Sequence, residues 1–421
     1  MDSIYIHGGI TLQGQVRVQG SKNAVLPVMA ATLLTEGTSI IRNCPRLKDV
    51  YHMQTLLESL GCMTARDKET LKIRATDVDI LHASKGMPED AVRGMRSSII
   101  LLGALLGRLG EVRVEYPGGC VIGERPIDIH IEALKKLNVH FEEKSYGLYA
   151  YSSELRGAEV DLAVPSVGAT ENLILAAVRA LGTTVIRGAA REPEIATLCE
   201  YLAACGADIT GIGSSTLIIQ GTKELAGADF EIPGDRIVAG TYLCACMAAG
   251  GEVLLKEAPI RQMQETILTA ERMGAVCQKT KEGLYVQVEE RLQSPQKLIT
   301  APYPGFPTDM QSPFLPVLAL AEGECYVEEN IFENRFHIVP YLEAMGADIR
   351  QLDARHVRVR GTEELTGSPV SAKELRGGAA LVIAGVAARG KTVVDGCKFI
   401  ERGYENICRD LRELGVRIYG V

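Results

Sequence analysis

Long apolar stretches recur along this chain at a regular interval, and each ends in a glycine that leads into a β-rich segment. A fixed period, here roughly 70 residues, is typical of an internally repeated architecture. The stretch 97–106 is apolar on almost every side, which predicts a helix that is buried all round. The glycines that end these stretches are Gly37, Gly110, Gly182, Gly251, Gly323 and Gly390.

A second, amphipathic helix is predicted after each apolar one. The segment 131–137, for example, keeps a polar face and presents its apolar face to a sheet. Because two independent markers keep one period, we interpret the chain as six copies of a unit that runs helix, strand, loop, helix, strand, strand. The amphipathic helices end at residues that commonly terminate helices in the left-handed conformation, namely Gly61, Asn138, Gly206, Gly274, Gly346 and Gly415.

The sixth copy runs out at 416–421, before its last strand. The segments 3–6 and 15–19 read as strands that belong to no copy, so we expect them to supply the missing piece. The sequence therefore predicts an α/β fold of two inside-out, barrel-like domains, each with three repeats, buried helices and outer sheets. A plain solenoid is the alternative, but the wrap-around closure and the lack of polar end caps count against it.

The closure by the N-terminus implies that one domain is discontinuous. We expect residues 22–232 to form one domain from repeats one to three, which carries the loop around Cys120. Residues 1–21 and 233–421 would form the other domain from repeats four to six. The chain then crosses twice between the domains, near residues 20 and 233, and these crossings would act as a hinge.

The composition fits a two-domain soluble enzyme of 421 residues: 46% of the residues are hydrophobic and 23% are charged. A net charge of −8 without a basic block argues against nucleic acid or a membrane surface as a partner. The first residues do not resemble a signal peptide, and no apolar run approaches the roughly 20 residues of a membrane span. We expect a cytoplasmic protein for which a monomer suffices.

Cysteine usage points the same way. The chain has 11 cysteines, an odd number, without CxxC pairs, and most fall in apolar patterns. This favours reduced thiols over a disulfide framework or a zinc site, and no metal site is predicted. Cys244 and Cys246 lie in the middle of an apolar run, so we interpret them as residues of a buried helix.

One cysteine stands apart from the others. Cys120 lies in the glycine-rich segment 117–126, five positions before Arg125. Glycines let the backbone come close to a ligand, and a neighbouring guanidinium favours the thiolate and attracts an acidic substrate. A reactive thiol and an ordinary βα turn with an incidental cysteine both remain possible from this spacing alone.

Charged side chains collect where the apolar helices are predicted to begin. Lys22, Arg96 and Arg376 oppose the helix dipole there, which is unfavourable unless an anion receives them. Further cations, Arg125, Arg335 and Arg402, lie in loops near the repeat junctions, and we expect all six to face one cleft between the lobes. Asp235 and Asp309 read most simply as helix N-caps. A structural role for His130 and a ligand-binding role remain equally open.

With these residues in view, the chain closely resembles the UDP-N-acetylglucosamine 1-carboxyvinyltransferases, a family of enolpyruvyl transferases, over essentially its whole length. The family's fold consists of two inside-out α/β domains. The motifs that carry the resemblance are Gly20-Ser21-Lys22-Asn23, Pro117-Gly118-Gly119-Cys120 with Arg125-Pro126, Asp128 and His130, Ser166-Val167-Gly168-Ala169-Thr170, Arg191-Glu192-Pro193-Glu194, Phe306-Pro307-Thr308-Asp309, Phe332-Glu333-Asn334-Arg335 and Arg402-Gly403-Tyr404.

The resemblance implies transfer of enolpyruvyl from phosphoenolpyruvate to the 3′-hydroxyl of UDP-N-acetylglucosamine, the start of peptidoglycan precursor synthesis, without a cofactor or metal. It implies that Cys120 donates a proton and reacts with fosfomycin, and that Asp309 is the general base. Lys22, Arg125 and Arg402 would hold phosphoenolpyruvate, with catalytic roles for Lys22 and Arg402. The substrate-binding residues implied by motif match are Lys22, Asn23, Arg96, Arg125, Pro126, Ile127, Asp128, Ile129, Ser166, Asp309, Ile331, Arg335, Arg376 and Arg402.

Two positions depart from the family pattern. Val164 stands where many members carry a lysine, so one contact to the nucleotide phosphate is in question. Glu374 stands where an aspartate usually precedes Leu-Arg, and its longer side chain is expected to pair with Arg402 or Arg376. Two alternative functions are 3-phosphoshikimate 1-carboxyvinyltransferase, which lacks the Pro-Gly-Gly-Cys loop, and a catalytically silent relative that binds a nucleotide sugar.

Overall fold

The computed structural model describes residues 2–76, 78, 99–114, 127–145 and 147–421. The chain divides into two compact units, each with its own hydrophobic core. The discontinuous unit comprises Met1–Gln19 and Gly234–Val421, and the continuous unit lies within Gly20–Pro233.

The helices follow the predicted alternation of apolar and amphipathic segments. In chain order the described helices are α1 (Lys22–Ala31), α2 (Lys48–Ser59), α3 (Leu101–Leu109), α4 (Asp128–Lys136), α5 (Val167–Ala177), α6 (Pro193–Ala204), α7 (Arg236–Ala249), α8 (Gln264–Arg272), α9 (Thr308–Leu320), α10 (Val339–Ala344), α11 (Leu375–Ala387), α12 (Cys397–Ile400) and α13 (Ile407–Glu413), with 3₁₀ turns at Thr32–Leu34 and Ile260–Gln262.

The strands are short, and most of them lie between two helices. In chain order they are β1 (Ser3–Gly8), β2 (Leu12–Arg17), β3 (Thr38–Arg42), β4 (Met63–Asp67), β5 (Thr70–Arg74), β6 (Glu111–Val114), β7 (His140–Lys144), β8 (Gly147–Tyr151), β9 (Glu159–Asp161), β10 (Thr183–Arg187), β11 (Asp208–Thr210), β12 (Thr216–Gln220), β13 (Asp229–Glu231), β14 (Gly251–Lys256), β15 (Val276–Lys279), β16 (Gly283–Val288), β17 (Lys297–Ile299), β18 (Glu324–Glu328), β19 (Asp348–Gln351), β20 (His356–Arg360), β21 (Pro369–Ser371), β22 (Gly390–Asp395) and β23 (Arg417–Gly420).

Buried helices lie inside the sheets of each unit, as the sequence predicts. In the continuous unit α1, α3 and α5 are buried over most of their length, and in the discontinuous unit α7, α9 and α11 are. Around them lie the sheets β13-β3-β5-β4, β6-β8-β7 and β11-β12-β10-β9 in one unit, and β15-β16-β14-β2, β17-β18-β20-β19 and β21-β22-β1-β23 in the other. Strand residues alternate between core and solvent: Ser39 and Ile41 of β3 are buried between the exposed Thr38 and Arg42, and Cys325 and Val327 of β18 are buried on either side of the exposed Tyr326.

The two sets of repeat markers have the backbone conformation that their sequence pattern predicts. All the glycines that end the apolar helices and all the residues that end the amphipathic ones have positive φ. Gly110 caps α3 in the left-handed region at φ 78°, and Asn138 reaches φ 67° without being a glycine. Asparagine is the usual substitute for glycine at such a helix end, so the repeat boundaries are confirmed.

The N-terminal strands complete the sixth copy, with bounds that differ from those predicted. β1 is Ser3–Gly8 and pairs antiparallel with both β22 and β23. β2 is Leu12–Arg17 and pairs parallel with β14. The sequence pattern missed one element of the repeat, a strand before each following buried helix, because in β9, β13, β17 and β21 it is only 3 residues long. Each of these strands pairs parallel with the next sheet along the unit.

Candidate functional site

A carboxylate held by two arginines lies at the start of α9 in the discontinuous unit. Oδ1 of Asp309 accepts a hydrogen bond from Nη2 of Arg335 at 2.7 Å, and Oδ2 accepts one from Nη2 of Arg376 at 3.1 Å. The structure thus brings together three residues that are separated widely in the sequence. The N-cap of α9 is Pro307, so interpreting Asp309 as an N-cap is wrong, whereas Asp235 does cap α7 by accepting from two backbone N–H groups.

The two arginine side chains are almost completely buried, 2% exposed for Arg335 and 4% for Arg376, while Asp309 is 25% exposed. Burial lowers the pKa of Arg376, but Asp309, Tyr404 and Asp235 together outweigh it, so the net pKa is raised. The guanidinium of Arg335 also lies over the ring of Phe332, 4.9 Å from its centroid. A buried cation at the start of a helix needs such partners, because the helix dipole opposes it.

A buried glutamate, which the sequence analysis missed, joins α9 to the segment that carries Ile331. Glu329 follows β18 directly and is fully buried. Its carboxylate accepts from the hydroxyl of Thr308 at 2.9 and 3.0 Å, and Oε1 also accepts from the backbone N–H groups of Ile331 at 2.8 Å and Phe332 at 3.0 Å. Sequence gave no signal for it, since an isolated glutamate after a strand reads as a surface residue.

Glu374 is the N-cap of α11. Its carboxylate accepts from the backbone N–H groups of Arg376, at 2.7 Å, and Gly377, and Nε2 of His337 lies 3.7 Å from Oε1. The expected pairing with the guanidinium of Arg376 is therefore wrong, because that group pairs with Asp309. The longer glutamate side chain therefore caps the N-terminus of α11.

Arg402 follows α12 and is half-buried, at a turn that a neighbouring glutamine fixes. Nε2 of Gln19 donates to the carbonyl of Gly403 at 3.2 Å, and its Oε1 accepts from the N–H of Glu405 at 2.8 Å. Tyr404 is buried beside Thr241, 2.7 Å from hydroxyl to hydroxyl, and burial raises its pKa. The backbone that follows Arg402 is thus held in place by Gln19.

In the continuous unit the first residue of α1 is a lysine with a buried partner. Nζ of Lys22 lies 3.3 Å from Oδ2 of Asp49, which belongs to α2 and is 2% exposed, whereas the Lys22 side chain is 13% exposed. Ser21 is the N-cap of α1 and accepts from the N–H of Ala24 at 3.4 Å. Asn23 follows Lys22 and is half-buried. Asp49 was not predicted from sequence, because it lies in another helix among ordinary polar residues.

The starts of α4 and α5 lie next to each other. Asn172 donates from Nδ2 to the carbonyls of Ile99 and Gly168, and its Oδ1 accepts from the N–H of Gly103 at 2.6 Å. These contacts orient the amide so that Nδ2 lies 2.9 Å from Nδ1 of His130, which is a third possible acceptor for its two hydrogens. His130 is buried, which favours the structural interpretation of the two left open.

Of the remaining residues implied by the resemblance, some lie within the described ranges and others lie outside them. Ser166 is the N-cap of α5 and accepts from the N–H of Ala169 at 3.3 Å. Ile127 is the N-cap residue of α4, whose first residue is the exposed Asp128, and Ile129 is half-buried. Val164 is exposed, and no lysine stands in its place. The predicted roles of Arg96, Cys120, Arg125 and Pro126 concern residues outside the described ranges.

A second carboxylate on a buried helix has the opposite surroundings to Asp309. Glu171 lies on α5 and is buried. Burial, followed by the charges of Glu194 and Glu192, raises its pKa well above the ordinary value. The side chain is therefore held in its neutral form over a range where an exposed glutamate is ionised.

The described cysteines are unreactive by position. All of them except Cys277 are buried. Burial raises the pKa of the thiol to about 12 for Cys62, Cys199, Cys246, Cys277 and Cys325, to about 11 for Cys205, Cys397 and Cys408, and well above its ordinary value for Cys244. The assignment of Cys244 and Cys246 to a buried helix is confirmed.

Two further features bear on the class of the protein. Among the side chains that the structure describes, no group of three or more His, Cys, Asp or Glu residues could hold a metal ion. No helix within the described ranges combines the length and the apolar character needed to cross a membrane.

Comparisons with known proteins cover nearly the whole chain. Residues 6–411 match the family described as EPSP synthase (3-phosphoshikimate 1-carboxyvinyltransferase). The chain is 45% identical over 419 residues to UDP-N-acetylglucosamine 1-carboxyvinyltransferase 2 of Caldanaerobacter subterraneus subsp. tengcongensis, with 99% of each chain covered. It is 44% identical over 418 residues to UDP-N-acetylglucosamine 1-carboxyvinyltransferase of Nitratidesulfovibrio vulgaris, again with 99% of each covered.

Solved structures show the same fold. The enolpyruvyl transferase NikO of Streptomyces tendae superposes with a TM-score of 0.88 at 24% identity, covering 99% of this chain and 98% of that one. EPSP synthase of Acinetobacter baumannii superposes with a TM-score of 0.72 at 15% identity, covering 100% of both. At such identities the likeness concerns the fold alone, and it confirms the predicted fold class.

Proposed function

The chain belongs to the enolpyruvyl transferases and, within them, to the UDP-N-acetylglucosamine 1-carboxyvinyltransferases, and from this premise we propose its reaction. It transfers the enolpyruvyl group of phosphoenolpyruvate to the 3′-hydroxyl of UDP-N-acetylglucosamine and releases phosphate. This reaction serves peptidoglycan precursor synthesis, and hence cell-wall formation, cell shape and division in the cytoplasm of a bacterium.

The observation that carries this proposal is the identity of 45% over 99% of both chains with a relative named for this reaction. The family model carries the name of the shikimate enzyme, but the structure that bears that name is only 15% identical. The full-length relatives decide between the branches, because they are 45% and 44% identical over 99% of the chain.

The chemistry requires one proton to leave the acceptor and one to reach the donor. In the addition step the 3′-hydroxyl loses its proton, its oxygen bonds to C2 of phosphoenolpyruvate, and C3 takes up a proton. In the elimination step C3 loses a proton and the bond from C2 to the phosphate oxygen breaks, which restores the double bond. A general base, a general acid and cations for the phosphate and carboxylate are therefore needed.

Asp309 is the general base of this proposal. Two guanidiniums favour its ionised form, which is the form that accepts a proton. Its 25% exposure leaves it accessible, unlike the two arginines. Arg335 and Arg376 hold the carboxylate and supply positive charge, while Arg402 binds the carboxylate or phosphate of phosphoenolpyruvate, as its family motif implies.

The continuous unit supplies Lys22 and Asn23 for phosphoenolpyruvate and Ser166 with 127–129 for the nucleotide sugar. Neighbouring helix starts support the second assignment, because their free N–H groups favour a diphosphate. Ile331 of the discontinuous unit contacts the nucleotide sugar in this proposal. Asp309 contacts the 3′-hydroxyl of the same sugar. Arg96, Arg125 and Pro126 complete the set by motif match.

Cys120 is the proposed proton donor to C3 and the site of alkylation by fosfomycin. The described cysteines offer little competition, because they are buried or have thiols whose pKa is raised. Fosfomycin should therefore inactivate the protein with one adduct, which mass spectrometry of digested protein would locate. Cys120→Ser should abolish the adduct, and alkylation chiefly at Cys277 would contradict the assignment.

The reaction is tested by release of phosphate from phosphoenolpyruvate. We expect release with UDP-N-acetylglucosamine and none with shikimate 3-phosphate. Release with shikimate 3-phosphate alone would assign the chain to the sister branch. Tight binding of UDP-N-acetylglucosamine without any release would identify the silent relative.

A further inference from the structure

The buried carboxylate of Glu329 is connected to Asp309 in two ways, through Thr308 and through the loop of Ile331 and Phe332. It lies directly after β18, at the point where the chain turns toward Arg335, and it is fully buried. An isolated charge in such a place is unfavourable unless several hydrogen bonds satisfy it. Glu329 receives donors on both sides, which indicates a built arrangement and not an accidental burial.

The first route passes through the start of α9. The hydroxyl of Thr308 donates to the Glu329 carboxylate at 2.9 and 3.0 Å, and Thr308 is the residue that precedes Asp309. Since Pro307 offers no side-chain cap to this helix start, the Thr308 contact is what ties the first turn to the neighbouring loop. A shift of Glu329 therefore moves the backbone that carries Asp309.

The second route passes through the loop. The backbone N–H groups of Ile331 and Phe332 donate to Oε1 of Glu329 at 2.8 and 3.0 Å. The Phe332 ring lies against the guanidinium of Arg335, whose Nη2 donates to Asp309 at 2.7 Å. The carboxylate thus fixes the backbone of Phe332, and the ring of this residue lies against the arginine that donates to Asp309.

We propose that Glu329 is a positioning residue for the reaction, which sets the place of Asp309 through Thr308 on one side and through Phe332 and Arg335 on the other. It also fixes the backbone of Ile331, so it links the segment expected to meet the nucleotide sugar with the base expected to deprotonate it. This inference rests on the proposed function for its kinetic consequence, while its structural consequence is independent of it.

Glu329→Gln removes the charge of the side chain but keeps its shape. The glutamine keeps an oxygen for the two backbone N–H groups and a nitrogen that donates to the Thr308 hydroxyl, so the fold should survive. Reversing the direction of the Thr308 hydrogen bond and removing the charge should displace Asp309. Misplacement of a reacting group by about 1 Å lowers the rate by up to roughly 10²-fold, so we expect kcat per folded enzyme to fall about tenfold or more.

The matched control is Glu328→Gln, the neighbouring half-buried glutamate at the end of β18, which should leave kcat unchanged. Thr308→Val should mimic Glu329→Gln, Thr308→Ser should restore most of the rate, and the double variant Glu329→Gln/Thr308→Val should fall no further than either single variant. A purely structural role predicts a lower Tm in both with kcat per folded enzyme unchanged, and that result would overturn the proposal.

A crystal structure of Glu329→Gln provides the readout that does not depend on activity. We expect the contact between Asp309 and Arg335, 2.7 Å in the wild-type protein, to lengthen or break. An unchanged contact would overturn the inference, whatever the substrate proves to be. If the wild-type protein showed no turnover, that result would contradict the proposed function. The crystal-structure test of Glu329→Gln would still apply.

Discussion

Both units place a carboxylate in the N-terminal half of a buried helix, and the surroundings of the two carboxylates are opposite. Asp309 of the discontinuous unit accepts from two buried arginines at 2.7 and 3.1 Å. Glu171 of the continuous unit is buried, and the charges that act on it come from Glu194 and Glu192, which together with burial raise its pKa. One carboxylate is stabilised as an anion and the other as a neutral acid.

The comparison teaches that residue type and helix position do not determine protonation. Asp309 lies in the first turn of α9, where the helix dipole favours negative charge, but this effect is worth typically 0.3–1 kcal/mol and is easily outweighed by burial or neighbouring charges. Glu171 is the fifth residue of α5 and lies beyond the first turn. What differs is the sign of the neighbours. Cations surround the carboxylate that is proposed to accept a proton, whereas carboxylates surround the one that keeps a proton.

The largest expected effect comes from removing the negative charge of Asp309. Asp309→Asn preserves the shape but cannot take up a proton, so turnover should fall by about 10²–10⁴-fold, the usual value of a general acid–base group. Two buried guanidiniums would then face a neutral amide, so Tm should fall as well. Steady-state phosphate release and thermal unfolding measure the two effects separately.

Asp410→Asn is the matched control for this change. Asp410 is a buried aspartate of the same unit that accepts from the Tyr242 hydroxyl at 2.6 Å. Its loss should lower Tm while turnover per folded enzyme stays near normal. Near-normal turnover of Asp309→Asn would show that Asp309 only holds its arginines together, and the general base would have to be sought elsewhere.

Much of the fold follows from the sequence because its signals are local. Positive φ at Gly110 and Asn138, for instance, is a property of a helix end that the residue type itself reveals. The pairs Asp309–Arg376 and Lys22–Asp49 could not be predicted, because each joins residues of different helices and no local pattern shows which side chains meet. Asp309 was taken for a cap since the sequence does not show that the helix starts at Thr308.

The intermediate effect concerns the cation that the continuous unit places at a helix start. Lys22 opposes the dipole of α1, and its 3.3 Å contact with the buried Asp49 compensates for this. Asp49→Asn removes the carboxylate charge beside the ammonium, and removing one partner of a buried ion pair costs about 3 kcal/mol. Urea unfolding should show this loss of stability.

The double variant Asp49→Asn/Lys22→Met tests whether the pair itself is responsible. Removing the ammonium as well should recover part of the lost stability, which would appear as a coupling between the two sites. If Asp49→Asn is as stable as the wild type, the lysine does not need its partner, and the contrast between the units would be confined to the carboxylates.

The smallest expected effect lies in how stability depends on pH. Because the pKa of Glu171 is raised in the folded protein, the side chain is protonated there while the unfolded chain already ionises near the ordinary value of about 4.3. Below that value both states are protonated and Glu171 costs nothing. As the pH rises above it, the unfolded state loses protons first, so stability falls until the folded group ionises too.

Glu171→Gln removes this dependence, and the difference in Tm between variant and wild type should grow from pH 5 toward pH 8, at roughly 2–4 °C per kcal/mol for domains of about 150–250 residues. Glu200→Gln, an exposed glutamate on α6, should show a flat difference over the same range. A flat difference for Glu171→Gln too would mean that the carboxyl is not held neutral, and the two carboxylates would then no longer be opposites.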